Sequence, residues 1–312
     1  MSKVVAITVT YHPQADVFLP LLNQLLLQTT QVIVVDNTPG RSNSALAALI
    51  EGTTNQEDCV LIRLGENMGI AKALNEGCKH ALSLDADFIL LSDQDSLPSE
   101  SMVSELYHAY HLLSDSGLQV GAVGPTYTDL HTGLTYPFQA QLPGHFFYGH
   151  KMPTNDVPHV EALTLITSGT LIPVSVFKEV GPMRDDFFID QVDIEWCHRA
   201  RSKGYRLFGT GWATMYQRMG EARLRVWYLR WRYESAYSPL RIYYRLRNFV
   251  ALLKLDFIDW RWKIRSSWYC LGLLYSHMIF GPSRLETIKM FFKGTCHGLR
   301  NKMGRYPAGG EK

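Results

Sequence analysis

The chain has 312 residues, 46% of them hydrophobic and 19% charged, enough for one large α/β domain or for one domain with a helical appendage. Its five cysteines (Cys59, Cys78, Cys197, Cys270, Cys296) are odd in number and nowhere paired at metal-ligand spacing, which argues against a disulfide framework and fits buried thiols in a reducing compartment. The net charge of +2 hides a division: residues 1–217 carry 12 Lys and Arg against 23 Asp and Glu, whereas residues 218–312 carry 19 against 6.

In chain order, residues 4–11 read as a buried strand ending at Thr10-Tyr11, followed by a helix over 15–28. Gln31 to Val35 form a second strand that ends at Asp36-Asn37; a helix over 42–51 and a strand over 59–64 follow. Asn67-Met68-Gly69 opens a helix that runs to Leu82, and a strand over 87–92 comes next. This alternation implies a largely parallel sheet. A helix covers 99–115 and a strand Gln119 to Gly124; residues 125–160 are irregular, where a second substrate would be recognised. Thr164 to Ile172 reads as a strand carrying Ser168-Gly169, a helix starts near Asp190, and Tyr205 to Gly209 is a further strand. After 216 the pattern turns helical and basic, with helices over 241–254, 261–280 and 284–300. No apolar stretch reaches the roughly 18 residues of a membrane span, and no signal peptide is evident at the start.

The chain is organised around Phe88-Ile89-Leu90-Leu91-Ser92-Asp93-Gln94-Asp95-Ser96, an apolar run that ends in two carboxylates. On extended backbone, residues i and i+2 point to the same side. Two such acids at the C-terminal lip of a buried strand repel each other unless a positive group lies between them, and a divalent ion chelating a diphosphate is one such group. The competing reading is a solvated turn.

These residues resemble the inverting, nucleotide-sugar-dependent glycosyltransferases of family 2, which have the GT-A fold. The matches are Thr10-Tyr11, Asp36-Asn37, Asn67-x-Gly69 with Asn75-x-Gly77, Asp93-x-Asp95, and Asp193-x-Glu195 with Arg199. Three segments are similar to signatures of bacterial rhamnosyltransferases: Ser92 to Ser96, Phe188 to Trp196, and Ser238-Pro239-Leu240-Arg241-Ile242-Tyr243-Tyr244-Arg245-Leu246-Arg247-Asn248. The resemblance implies an α/β GT-A domain, Rossmann-like with a mixed, mostly parallel sheet, over residues 1–216, and a basic helical extension over 217–312. It further implies transfer of L-rhamnose from dTDP-β-L-rhamnose to a lipid-linked saccharide of a bacterial surface glycan. One departure stands out: related enzymes often carry a His after the strand near Gly209, where this chain has Met215-Tyr216-Gln217-Arg218-Met219-Gly220. Either Gln217 or Arg218 takes that role, or it is absent.

Under this resemblance Asp95 is the metal ligand, Asp93 its partner on ribose or metal-bound water, and Mg²⁺ or Mn²⁺ the fitting ion. Asp36 meets a pyrimidine N–H or a ribose hydroxyl, or closes an Asx-turn before Pro39. Thr10 and Tyr11 border the base, or edge the core. Asn67 and Gly69 offer helix-start N–H groups to the diphosphate, with Lys72 helping, or form an ordinary cap. Asp193 takes the position of the general base and Asp190 lines the acceptor pocket. Glu195 orients Arg199 at i, i+4. Ser168-Gly169 lets the acceptor approach or forms a bulge, and Trp196 is core or acceptor platform.

In the basic third, Trp227, Trp231, Trp260, Trp262 and Trp268 stand among Arg223, Arg225, Arg230, Arg232, Arg261, Lys263 and Arg265. That mixture suits an anionic membrane surface better than nucleic acid, with the protein peripheral on the cytoplasmic face and a polyprenyl-diphosphate-linked saccharide as acceptor. Arg241, Arg245 and Arg247 bind either the acidic part of this chain or a diphosphate. Two rival readings remain: a same-fold transferase using a UDP-hexose, and a catalytically silent membrane-bound scaffold.

Overall fold

The computed structural model describes residues 2–40, 44–52, 58–130, 133–217 and 223–307. The first half alternates strand and helix: β1 (Val4–Thr10), α1 (Ala15–Gln28), β2 (Gln31–Asp36), α2 (Ser44–Glu51), β3 (Cys59–Arg63), α3 (Ile70–Ser83) and β4 (Phe88–Asp93). β1 pairs in parallel with both β2 and β4, and β2 with β3. Val5, Ala6, Ile7, Val32, Ile33, Val34, Ile89 and Leu90 are fully enclosed, as expected for strands covered by helices on both faces. Gly77 of α3 lets helix and sheet close together, because a Cβ there would meet the Ile7 side chain at 2.4 Å.

The second half extends the sheet. It comprises β5 (Ser96–Pro98), α4 (Met102–Asp115), β6 (Val120–Asp129), β7 (Thr135–Tyr136), β8 (Phe138–Ala140), β9 (Gly149–Lys151), β10 (His159–Ala162), β11 (Leu171–Pro173), α5 (Val174–Val180), α6 (Val192–Ser202) and β12 (Arg206–Gln217). The main sheet order is β10-β12-β6-β11-β4-β1-β2-β3, with β11 antiparallel to β4 and β6, and β12 parallel to β6. The sheet is therefore mixed and mostly parallel, as the sequence implies. The expected strand over 164–172 shrinks to β11, because Ser168-Gly169 form a turn with Gly169 at φ +79°.

The basic third is not purely helical. A hairpin, β13 (Arg223–Tyr228) and β14 (Arg230–Ser235), precedes α7 (Pro239–Leu253), α8 (Trp260–Phe280) and α9 (Arg284–Leu299). The hairpin has a period-2 signature that the helical reading passes over: Leu224 and Val226 are buried, whereas Arg223, Arg225 and Trp227 are exposed. The three expected helices are present. Ser238 caps α7 by accepting from the Arg241 N–H, with Pro239 in its first turn. Among the described residues no helix is long and apolar enough to cross a membrane.

Candidate active site

β4 carries Asp93 at its C-terminal end, and the turn into β5 carries Gln94 and Asp95. This turn is fixed from both sides. Gln94 clamps the Tyr11 backbone, accepting from its N–H at 2.7 Å and donating to its carbonyl at 3.1 Å. Ser168 accepts from the Asp93 N–H at 3.1 Å, and the Tyr127 hydroxyl donates to the Ser168 carbonyl at 2.8 Å. Gly169 packs on Pro125, where a Cβ would stand 2.6 Å from the ring, and donates to the Leu91 carbonyl. Ser168 is fully buried, and the Ser168-Gly169 turn positions Asp93 through the Ser168 hydroxyl.

The second acid group comes from the segment before α6. Phe188, Asp190 and Gln191 have φ of +64°, +63° and +66°, a run of left-handed backbone in non-glycine residues. Such residues cost on the order of 1–3 kcal/mol each and persist only where their surroundings over-determine them. Here α7 does so. The Asn248 amide donates to the carbonyls of Phe187, Ile189 and Asp190 at 2.9, 2.8 and 2.8 Å, and Arg247 donates to that of Phe187 at 2.8 Å. Both side chains are wholly enclosed. From the other side, the Ile70 N–H donates to the Phe188 carbonyl at 2.7 Å, and Gly69 leaves room for Phe188, which a Cβ would meet at 2.6 Å.

This accounts for the Asn67-x-Gly69 and Asn75 motifs physically. Asn67 accepts from the Gly69 N–H and from the Asn37 amide, and Asn37 accepts from the Met68 N–H. Asn75 holds Met183 through both its N–H and its carbonyl, and also meets Asp185. The N–H groups of Met68, Gly69 and Ile70 are thus spent on protein acceptors, and Lys72 pairs with Glu76 and Asp185. The geometry makes these residues braces of the loop before α6; of the groups expected at the diphosphate, the Gly69 N–H donates to Asn67 and Lys72 pairs with Glu76 and Asp185.

Within the loop, Asp190 is nearly enclosed and meets two cations of α7. Arg241 approaches at 3.2 Å and Arg245 at 3.1 Å. Arg245 lies over the Tyr237 ring, 4.4 Å from its centre, and donates to the Tyr269 hydroxyl. Asp193 is in the first turn of α6, where its carboxylate accepts from the Ile194 N–H at 2.8 Å. Burial pushes Asp193 up to about 6, with Asp190 adding to the rise and Arg245 opposing it. Burial likewise pushes Asp93 up to about 7, helped by Asp95 and then Asp193, against the pull of Arg241. The β4 acids, the α6 acid and the α7 arginines therefore share one electrostatic site, although they are far apart in sequence.

The remaining expected residues fall around it. Thr10 donates to Asp36 at 3.3 Å, and the same Asp36 oxygen accepts from the Thr38 N–H, so the Asx-turn forms. Asp36 is buried, whereas the Tyr11 ring is exposed beside the Asp93–Asp95 turn. Glu195 and Arg199 form the expected i, i+4 pair at 2.9 Å. Trp196 is 1% exposed and its indole donates to the Gly181 carbonyl, which makes it core and removes it as an acceptor platform. Gln217 ends β12 opposite Ser96, and Arg218 lies outside the described residues. Among the described residues no three His, Cys, Asp or Glu side chains gather as a metal site. The Asp93 carboxyl, pushed up by burial and then by Asp95, nonetheless fits a cation that arrives with phosphate oxygens as its other ligands.

Sequence comparison matches residues 5–181 to the family described as Glycosyl transferase family 2. The chain belongs to glycosyltransferase family 2. It is 29% identical over 311 residues to the dTDP-rhamnosyl transferase RfbF of Shigella flexneri, covering 98% of this chain and 99% of that one. It is 22% identical over 310 residues to the low-salt glycan biosynthesis hexosyltransferase Agl10 of Haloferax volcanii, covering 96% and 92%. Among solved structures, S. aureus TarS 1–349 matches with TM-score 0.51 at 15% identity over 96% of this chain and 82% of that one. GalNAc-T7 with UDP, GalNAc and Mn2+ matches with TM-score 0.52 at 11% identity over 69% of this chain and 43% of that one. This family 2 protein is thus a glycosyltransferase with a GT-A fold built on the mixed, mostly parallel sheet.

Proposed function

We propose that the enzyme transfers L-rhamnose, with inversion, from dTDP-β-L-rhamnose to a polyprenyl-diphosphate-linked saccharide on the cytoplasmic face of the membrane. The single supporting observation is the junction of Asp93 and Asp95 with Asp193 at the C-terminal end of β4. The rhamnosyl donor is supported by the similarity to RfbF, which spans nearly the whole of both chains.

In this reading the donor diphosphate lies along Asp93 and Asp95. A Mg²⁺ or Mn²⁺ bound there, chiefly by Asp95, supplies Lewis-acid stabilisation of charge on the departing diphosphate. The Ser168 hydroxyl and the Gln94 amide hold the turn so that both carboxylates keep their aim. Tyr11, exposed beside this turn, offers its ring to the base, with Thr10 and Asp36 behind it. Asp193 takes the proton of the incoming hydroxyl, and with its carboxyl at about 6 it is ionised at neutral pH yet still basic enough to accept that proton. Asp190 lines the acceptor side, held by Arg241 and Arg245.

The test is nucleotide diphosphate release from purified protein with a panel of dTDP- and UDP-sugars, with and without a short polyprenyl-diphosphate saccharide. Rhamnose transfer that depends on the acceptor and disappears in Asp193→Asn supports the proposal. Preference for a UDP-hexose overturns the donor assignment, and full turnover of Asp193→Asn removes that residue as base.

A further inference from the structure

One surface of the basic third has no role in the chemistry above. At the tip of the β13–β14 hairpin, Leu229 is 92% exposed with φ +61°, so neither packing nor backbone conformation favours leucine there. One hairpin face carries Trp227 opposite Trp231 and Arg225 opposite Tyr233, all exposed, with the Arg225 guanidinium 4.5 Å from the centre of the Trp231 indole. The other face sends Leu224 and Val226 into the protein. The hairpin is fixed to α8: the Tyr275 hydroxyl donates to the Trp227 carbonyl and the Tyr228 hydroxyl to that of Gly272, both at 3.0 Å.

α8 continues the surface. Trp260, Ile264, Trp268, Leu271 and Ile279 are exposed and follow steps of three, four or eight residues, hence one side of the helix. Tyr275, which holds the hairpin, lies in the same row. Trp262, grouped with the others on sequence grounds, is buried and belongs to the core. α8 contains no Asp or Glu, and the hairpin strands contain four Arg against Glu234. Among the described residues Arg225, Arg230 and Arg232 make no ion pair.

We infer that the β13–β14 hairpin and the exposed row of α8 form one seat for an anionic lipid bilayer, with Leu229 and the Trp227–Trp231 pair entering the headgroup region. This inference rests on the proposed lipid-linked acceptor and specifies the element that meets the lipid. Indole and phenol rings favour that depth because they are apolar with one polar edge, and arginines beside them reach lipid phosphates. A second copy of the chain is a poor occupant, since a two-fold contact through this face sets unpaired arginines against unpaired arginines. The surface also adjoins the acids: Tyr269, next to Trp268, accepts from Arg245, and Tyr237, two residues beyond β14, stacks on the same guanidinium. A bilayer held here brings an acceptor's diphosphate to the α7 side of Asp190 and Asp193.

The experiment is co-sedimentation of the full chain with vesicles of phosphatidylcholine alone and with 30% phosphatidylglycerol, comparing wild type, Leu229→Asp and Trp231→Ala/Trp268→Ser. The expected result is binding to the anionic vesicles only, weakened at least tenfold in each variant, with a blue shift of tryptophan fluorescence in wild type. Donor hydrolysis in solution is expected to stay unchanged, so a dead active site is told apart from a misplaced membrane seat. Undiminished vesicle binding by the variants overturns the inference. So does equal binding to neutral vesicles, a wild-type dimer that Leu229→Asp dissociates, or tighter binding to single- or double-stranded DNA than to the vesicles.

Discussion

Arg245→Met isolates the link between the basic third and the catalytic loop. Asp190 is 7% exposed at its side chain and Arg245 18%, whereas the second cation, Arg241, is 51% exposed. A hydrogen bond to a buried charge contributes about 1.5–3 kcal/mol. The stacking on Tyr237 adds about 1 kcal/mol. Arg241 remains and offsets part of the loss, so Arg245→Met is expected to destabilise the fold by about 3 kcal/mol. Arg241→Met, at a more solvated position, costs at most about 1 kcal/mol. Urea unfolding followed by tryptophan fluorescence measures both. Asp190→Asn placed on Arg245→Met removes the charge that Arg241 alone still meets, and the double-mutant cycle is expected to show about 2 kcal/mol of coupling. Arg245 also opposes the rise of Asp193, so its removal moves the acid limb of the rate profile to higher pH. Strict additivity in the cycle, together with an unmoved acid limb, would refute the reasoning.

In wild type, kcat is expected to rise with pH through about 6, as Asp193 loses its proton; a profile flat from pH 5 to 8 speaks against a carboxylate base. Ser168→Ala removes the hydroxyl that accepts from the Asp93 N–H, at about 1–2 kcal/mol of stability; it is expected to lower kcat and weaken the response to added Mn²⁺ while leaving hairpin-dependent vesicle binding intact. His198, buried against Trp262 at 4.8 Å, is lowered to about 4 by burial and then by Arg201, with Asp259 opposing and Lys263 reinforcing. Its neutral form belongs to the fold, so its contribution is complete above pH 6.5 and lost as pH falls towards 4, about 2 kcal/mol by pH 5. Asp93 and Asp193 titrate with the opposite sign, since their raised values favour the folded state as pH falls. The measurement is therefore the difference between wild type and His198→Phe at pH 7 and pH 5, and equal pH slopes in the two proteins would dispose of the His198 term.

Much of the sheet was legible because β1, β2 and β4 are enclosed on both faces and spell uninterrupted apolar runs. The acid pair at the end of β4 was legible for the same reason, since burial ends there abruptly. The roles of Asn67, Gly69 and Asn75 were not. A helix-start Asn-x-Gly looks the same locally whether its N–H groups face an anion or the carbonyl of Phe188, more than a hundred residues away. Ser168 and Trp196 stayed open between a packing role and the acceptor, because local sequence does not report burial to 0% and 1%. The hairpin was hidden by composition: arginine and tryptophan at alternating positions read as a basic helix until Leu224 and Val226 are seen to share one face.

The grip of Asn248 on the carbonyls of Phe187, Ile189 and Asp190 bears on how such enzymes can be recombined. A fragment cut after β12 would keep every acid of the site but lose the amide that holds the left-handed backbone before α6, and Asp190 would lose both of its cations. Chimeras that exchange acceptor preference between homologues should therefore carry the stretch around residue 190 and α7 together as one cassette, even though more than forty residues of unrelated chain separate them.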